Sequence, residues 1–289
     1  MKIISAKKIT ETVSGLCIKA NLDLRNDVLS AIKLARSREK NKRAGNILDA
    51  IIANAFIARK RKLAICQDTG LPYVFVELGQ DVRIKGDLKN AVNKGIEEGY
   101  KKGFLRESIV KEPILRGKAG YTPALIQIDI VRGSKLKLTV LPKGFGCENK
   151  GQLKMFNPTA KIGEIKKFIV EAVKAAGPDA CPPYVVGVGI GGTADYACLL
   201  AKKALLRQVT RSQGQCASLP EGDKVTSRSS KLEQDLLKDI NRLNIGPMGL
   251  GGKTTALAVN IETYPTHIAG LPVAVNISCH ALRSATVTL

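Results

Sequence analysis

Cys66, Cys181 and Cys279 stand in settings where a thiol can bind rather than pack. Cys66 lies in Ile65-Cys66-Gln67-Asp68-Thr69-Gly70, Cys181 in Ala180-Cys181-Pro182-Pro183-Tyr184 ahead of a glycine-rich stretch, and Cys279 in Asn276-Ile277-Ser278-Cys279-His280. Turn formers and polar side chains flank each thiol, so the backbone there can bend and point amide N–H groups at an anion. The three are too widely separated for a local finger or knuckle, and only a folded domain brings them together. Thiolates on separate loops are the anchors of an iron-sulfur cluster. Three thiolates rather than four leave one iron open, and an open metal site does chemistry.

Three of the four remaining cysteines have a plainer reading. Cys17 and Cys198 fall on apolar helical patterns, as small buried hydrophobes do, and Cys216 sits as a bystander in the polar stretch 212–218. Two phosphate-binding look-alikes are set aside. Gly187-Val188-Gly189-Ile190-Gly191-Gly192 satisfies G-x-G-x-x-G, yet no acidic residue follows about twenty positions on, where a ribose partner belongs; Arg207 and Arg211 stand there. Gly251-Gly252-Lys253-Thr254 resembles a Walker loop, but Pro247 occupies the place of its first glycine.

The elements that must position these groups show in the periodicity. The first sixty residues are helical, with Leu48, Ile51, Ile52, Ala55 and Phe56 on one face. Extended pieces follow around Cys66 and over Tyr73 to Leu78, then a helix over Leu88 to Lys102. Ile126, Ile128 and Ile130 alternate with polar neighbours, Arg132 to Lys135 makes a turn, and Leu136, Leu138 and Val140 alternate again, which predicts a hairpin with one buried face. Pro158 is expected to open a helix that Gly177 stops. A strand then reaches the glycines, Ala194 to Arg207 is helical, and Ser230 with Glu233 forms a capping box for a helix through Leu243. Strands over Leu257 to Glu262 and Pro272 to Cys279 close the chain, and 211–229 is the expected exposed loop. The fold class is α+β: a helical N-terminal part over about 1–62, then mixed, largely antiparallel sheets with flanking helices, all in one domain spanning 1–289.

Composition narrows the function. The 289 residues are 44% hydrophobic, enough for a sizeable core, and carry a formal net charge of +21. The basic clusters 36–43 and 59–62 fall at the ends of helical patterns, where cations suit the helix dipole. With no tryptophan and 4% aromatics, a nucleic-acid stacking surface is not expected; a small dianion or an acidic partner suits the charge. No stretch matches a membrane span, the start lacks a secretory apolar region, and an odd number of dispersed cysteines fits a reducing compartment. The expected compartment is the cytoplasm.

Taken together, four segments resemble the alpha subunit of the class I, iron-sulfur fumarate hydratases and L(+)-tartrate dehydratases. They are Ile65 to Gly70, Lys143-Gly144-Phe145-Gly146-Cys147-Glu148-Asn149-Lys150, Ala180 to Tyr184 with Ile190 to Thr193, and His267 to Val273 through Asn276 to His280. The resemblance covers most of the chain. It implies a 4Fe-4S cluster on Cys66, Cys181 and Cys279, substrate contacts from Gln67, Arg106 and Gly146, and Asp68 with His267 as a coupled catalytic pair. The implied reaction is reversible hydration of a C4 dicarboxylate, fumarate to L-malate first and tartrate to oxaloacetate second. The family's usual Lys-Gly-Gly-Gly-Ser stands here as Lys-Gly-Phe-Gly-Cys, with Phe145 and Cys147 departing from it. The family also places the base and further arginines in a second part, which implies a beta subunit and a hetero-oligomer; the composition, for its part, predicts no nucleic-acid or membrane partner. A reading from another class is a redox or oxygen sensor in which the cluster turns nothing over.

Overall fold

The computed structural model describes residues 2–209 and 227–289; Cys216 and most of the expected loop 211–229 lie outside them. In chain order the elements are β1 Lys2–Ser5, α1 Ala6–Leu22, α2 Asn26–Arg38, α3 Lys42–Arg61, β2 Leu71–Gly79, β3 Val82–Lys85 and α4 Leu88–Lys102. Next come β4 Ile109–Glu112, β5 Arg116–Gly120, β6 Leu125–Val131, β7 Leu136–Lys143, α5 Phe145–Glu148, β8 Gln152–Phe156 and α6 Ile162–Ala176. The chain finishes with β9 Tyr184–Gly192, α7 Ala194–Ala204, α8 Ser227–Asn241, β10 Ala256–Thr266, β11 Leu271–Ser278 and β12 Ala285–Thr288. This is the α+β mixture that the periodicity predicts. The chain forms two compact units, Met1–Arg25 with Ala55–Phe145 and Arg283–Leu289, and Asn26–Asn54 with Gly146–Leu282. The helical N-terminal part is shared between them.

In the first unit a four-stranded sheet has the order β12-β7-β2-β6. Val74, Val76, Leu136, Leu138 and Val140 project from it into a core with Ile9, Val13 and Cys17 of α1 and Val92, Ile96 and Tyr100 of α4. The two helices cross closely because α4 presents glycines. A Cβ on Gly95 would stand 2.7 Å from the Thr10 carbonyl oxygen, and one on Gly99 2.6 Å from that of Ser14. The Asp87 side chain starts α4 by accepting from Asn90 N–H at 3.0 Å, the usual N-cap bond.

The expected hairpin does not form. β6 and β7 both exist, but β2 lies between them, parallel to β6 and antiparallel to β7. Alternation reveals which face a strand buries, not which strand sits beside it. The connection 132–135 instead wraps the end of β2, where a Cβ on Gly79 would meet the Gly133 carbonyl oxygen at 2.3 Å.

In the second unit the sheet order is β10-β9-β11-β8, with β9 parallel to β10 and antiparallel to β11. Tyr184, Val186, Val188, Val259, Ile261, Val273, Val275 and Ile277 form a core with Ile165, Ile169, Ala172 and Val173 of α6 and Leu236 and Ile240 of α8. On the other face Ala274 packs with Ala197 and Ala201 of α7. α6 ends at Gly177 as expected but starts at Ile162, four residues after Pro158. The expected capping box fails because α8 already begins at Ser227. Glu233 serves tertiary structure instead, accepting from Arg207 Nη1 at 2.7 Å and from Ile261 N–H at 2.7 Å.

Candidate active site

The loop 66–70 enters β2, and its backbone is tied down almost atom by atom. Both oxygens of the Asp68 carboxylate accept backbone N–H groups, Oδ1 from Gly70 at 2.9 Å and Oδ2 from Phe145 at 2.8 Å. A carboxylate bound this way fixes its own orientation and joins the loop before β2 to the loop after β7. Gly70 has φ +76°, and a Cβ there would stand 2.7 Å from the Pro142 carbonyl carbon, so only glycine lets the two loops approach. Thr69 Oγ1 donates to Arg106 O at 3.2 Å and accepts from Arg106 N–H at 3.1 Å. The Tyr100 hydroxyl donates to the carbonyls of Thr69 at 2.9 Å and Gly70 at 3.2 Å. Burial pushes this phenol well above its ordinary range, so it stays a donor. Arg106 therefore has an anchored backbone and an exposed side chain, in a loop beyond the end of α4, while Gln67 is exposed and Cys66 and Asp68 are half-buried. That is a suitable arrangement for a cation that meets a carboxylate.

The second unit holds the other two candidate thiols. Cys181 adopts the left-handed region, φ +56°, uncommon for a side chain with a Cβ, ahead of a cis Pro182–Pro183 bond. Pro182 O accepts from Met248 N–H at 2.8 Å. Cys279 follows β11 directly, and its neighbour His280 reaches back to the Cys181 carbonyl twice, through its backbone N–H at 3.4 Å and its ring Nδ1 at 3.1 Å. The ring bond to a carbonyl requires the proton on Nδ1. His280 thus ties the Cys181 and Cys279 loops together. Both thiols are half-buried, and none of the six described cysteines forms a disulfide.

Gly146 and Cys147 lie on the single turn α5. Gly146 is exposed, with nothing within 4 Å of where a Cβ would stand; Cys147 is buried and donates from Sγ to Ala180 O at 3.4 Å. Glu148 of the same turn accepts from Lys202 Nζ at 2.5 Å and Asn276 Nδ2 at 3.1 Å, linking this loop to β11. His267 sits exposed in the connection between β10 and β11, where its Nδ1 accepts from Ala269 N–H at 3.2 Å. A neutral ring there carries its proton on Nε2, the opposite tautomer to His280.

Cys66, Gln67, Asp68 and Arg106 thus belong to the first unit, and Gly146, Cys181, His267 and Cys279 to the second. Among the described residues no three of His, Cys, Asp and Glu are gathered as a ready metal site. Cys17 is buried, and burial pushes its thiol far up, as an inert core cysteine requires. Cys198 is a correction. It is exposed, because α7 turns Ala197, Leu200, Ala201 and Ala204 inward and the next position round from Ala197 faces out. The sequence passes over Arg283 altogether: it is 3% exposed and its Nη2 donates to the Asp68 carbonyl oxygen. Its position four residues after Cys279 is the only signal that could have found it.

Both phosphate-loop look-alikes have structural explanations. A Cβ on Gly187 would stand 2.1 Å from the Ala201 carbonyl oxygen and one on Gly189 2.0 Å from that of Ala197, so these glycines admit α7 against β9. The first turn of α7 carries its own Asp195, which disfavours a pyrophosphate there. In the Walker-like segment, Gly252 N–H bonds Asn244 Oδ1 and Lys253 N–H bonds Glu39 Oε2, so these amides are already committed to side chains rather than open to a phosphate.

Comparison with known proteins agrees with this assembly of motifs. A family profile described as fumarate hydratase (Fumerase) matches residues 10–288. The putative L(+)-tartrate dehydratase subunit alpha of Methanocaldococcus jannaschii is 38% identical over 286 residues, covering 96% of each chain. The L(+)-tartrate dehydratase subunit alpha of Escherichia coli strain K12 is 29% identical over 287 residues, covering 98% of this chain and 91% of that one. With a match of that length, the chain belongs to the fumarate hydratase family and is a hydro-lyase of its alpha-subunit type.

Proposed function

We propose that this chain is the alpha subunit of a two-part 4Fe-4S hydro-lyase acting on a C4 dicarboxylate in the cytoplasm, with fumarate and water giving L-malate as its reaction. The observation that supports it most is the polar loop ahead of β2, in which two amides fix the Asp68 carboxylate two residues after Cys66. The names of the relatives favour a second reading, L(+)-tartrate dehydration to oxaloacetate.

The donor set suits a cluster. Cys66, Cys181 and Cys279 are half-buried thiols outside any disulfide, on loops at strand ends, and His280 already holds two of those loops together. These three residues would hold the cluster, which when bound supplies a Lewis-acidic iron that polarises the substrate hydroxyl. The protein groups do the rest. Arg106 binds one substrate carboxylate as a bidentate cation. Gln67 and the Gly146 backbone orient the dianion, and the open space at Gly146 allows close approach. In dehydration a proton leaves the carbon beside a carboxylate and hydroxide leaves its neighbour; Asp68 and His267 act as the acid-base pair that delivers the proton to the departing oxygen. The base for carbon and a second carboxylate clamp come from a beta subunit, in keeping with the alpha-subunit names of the relatives. The two units act as one catalytic domain.

The test is anaerobic reconstitution of the full chain with iron and sulfide, with and without the beta subunit, followed by a panel of fumarate, L-malate and L(+)-tartrate. About four irons per chain, negligible turnover alone and full turnover in the mixture are expected. Cys181→Ser loses the cluster, whereas Cys147→Ser and Cys198→Ser keep it. Comparable turnover by the isolated chain overturns the two-part reading, and a full cluster in Cys181→Ser overturns the ligand set. Iron binding without turnover in the mixture leaves the sensor in place of the enzyme.

A further inference from the structure

We infer that Arg283 is a positioning residue for the loop that carries Cys66 and Asp68, an inference that rests on the functional reading of that loop. Between residues 68 and 70 every backbone carbonyl has a donor: Asp68 O has Arg283 Nη2, while Thr69 O and Gly70 O share the single proton of the Tyr100 hydroxyl. Tyr100 comes from α4, on the near side of the chain, whereas Arg283 comes from the segment that directly follows Cys279. One side chain therefore makes the shape of the Cys66 loop depend on the course of the chain leaving another candidate ligand.

A hydrogen bond alone does not explain an arginine here. The side chain is 3% exposed, and its Nε and Nη1 have no acceptor among the described residues. Taking a guanidinium out of water without a partner is costly, and a neutral donor such as glutamine would satisfy one carbonyl with a smaller desolvation penalty. The charge is accounted for if the loop it grips is to hold negative charge: a thiolate at Cys66, a carboxylate at Asp68, and the dianionic substrate proposed to arrive there. Arg283 then does two things. It fixes the Asp68 carbonyl, and it offsets the repulsion among those anions from behind the loop.

Three full-length variants separate the parts: Arg283→Lys keeps charge, Arg283→Gln keeps a donor, and Arg283→Met keeps neither. The first readout needs neither metal nor substrate. Backbone amide exchange at Gly70 and Phe145, whose N–H groups bond Asp68, is followed in the chain alone. Arg283→Met is expected to speed it about tenfold or more with β2 and β7 unchanged, and Arg283→Gln to return it to within about twofold of the parent. In the reconstituted complex Arg283→Gln lowers kcat about tenfold or more with KM nearly unchanged, and Arg283→Lys restores most of that loss. Unchanged exchange in all three variants overturns the inference. So does faster exchange spread evenly over the first unit, the mark of a purely structural side chain; should Arg283→Met not fold, the kcat contrast decides instead, and equal kcat in the parent, Arg283→Gln and Arg283→Lys overturns the inference. Failure of the parent chain to bind iron sinks the functional reading and leaves the exchange result to be judged by itself.

Discussion

The two units share one strand plan, and they differ in what covers it. Each sheet has the order edge, second, centre, first: β12-β7-β2-β6 in one and β8-β11-β9-β10 in the other. In both, the first strand runs parallel to the centre, the second antiparallel to it, and the edge antiparallel to the second. The loop entering the centre strand carries a candidate ligand in each case, Cys66 ahead of β2 and Cys181 ahead of β9. The chain leaving the second strand leads to Gly146 after β7 and to Cys279 after β11. The coverage differs. β9 and β11 have α6 and α8 on one face and α7 on the other, whereas the helices of the first unit pack into a single core on one face of β2 and β7. On the other face, Glu77 and Lys137 pair at 2.9 Å with side chains 42% and 43% exposed. Equivalent loops can thus be presented by sheets of unequal burial, and the chemistry follows the loops rather than the packing.

The largest effect that tests this equivalence is catalytic. In the reconstituted complex, Asp68→Asn and His267→Asn are each expected to keep the cluster and lower turnover on the order of a hundredfold, the scale of a lost proton-transfer group. They differ in a second measurement. The Asp68→Asn change sets an amide N–H₂ against either Gly70 N–H or Phe145 N–H, so exchange of those amides rises; His267, exposed and bonded only to its own turn among the described contacts, leaves them alone. Normal turnover in His267→Asn would show that the loops of the second unit contribute thiols and no acid-base group.

Packing supplies the next effect. Gly189→Ala drives a Cβ to 2.0 Å from the Ala197 carbonyl oxygen, and backbone cannot step aside as a side chain can. A loss of about 3 kcal/mol is expected in urea unfolding. Gly120→Ala in β5, where the nearest atom lies 4.0 Å away, is expected to change stability by less than about 0.5 kcal/mol. Equal midpoints for the two variants would refute the view that β9 is held tightly by α7.

The same difference in coverage explains what the sequence makes legible. α4 is readable to its ends, Leu88 and Lys102, because an N-cap aspartate, one apolar stripe and a terminal glycine agree. β6 and β7 are readable as strands because a sheet with one core face alternates. Their neighbours are not: the strand that separates them, β2, comes well before both in the chain, and no local pattern encodes so distant a pairing. In the covered sheet alternation vanishes, and the glycines that admit α7 imitate a dinucleotide motif. The candidate loops are visible because turn formers around a thiol or carboxylate are a local signal. Arg283 is invisible for the converse reason, since an arginine near a chain end looks like any solvated cation until the fold buries it.

The smallest effect probes the exposed end of the first unit's sheet. Ile130, near the end of β6, is 76% exposed, so Ile130→Thr removes little buried area and leaves its hydroxyl in water; a change within about 0.5 kcal/mol is expected. Val188, in the centre strand of the covered sheet, is fully buried. Val188→Thr keeps the shape but buries a hydroxyl, and a hydroxyl without a partner costs about 1–3 kcal/mol. Urea unfolding of the two threonine variants side by side measures the contrast. If Ile130→Thr proved as costly as Val188→Thr, the exposed end of β6 would have to be covered in solution, and self-association measured by light scattering would be the first place to look.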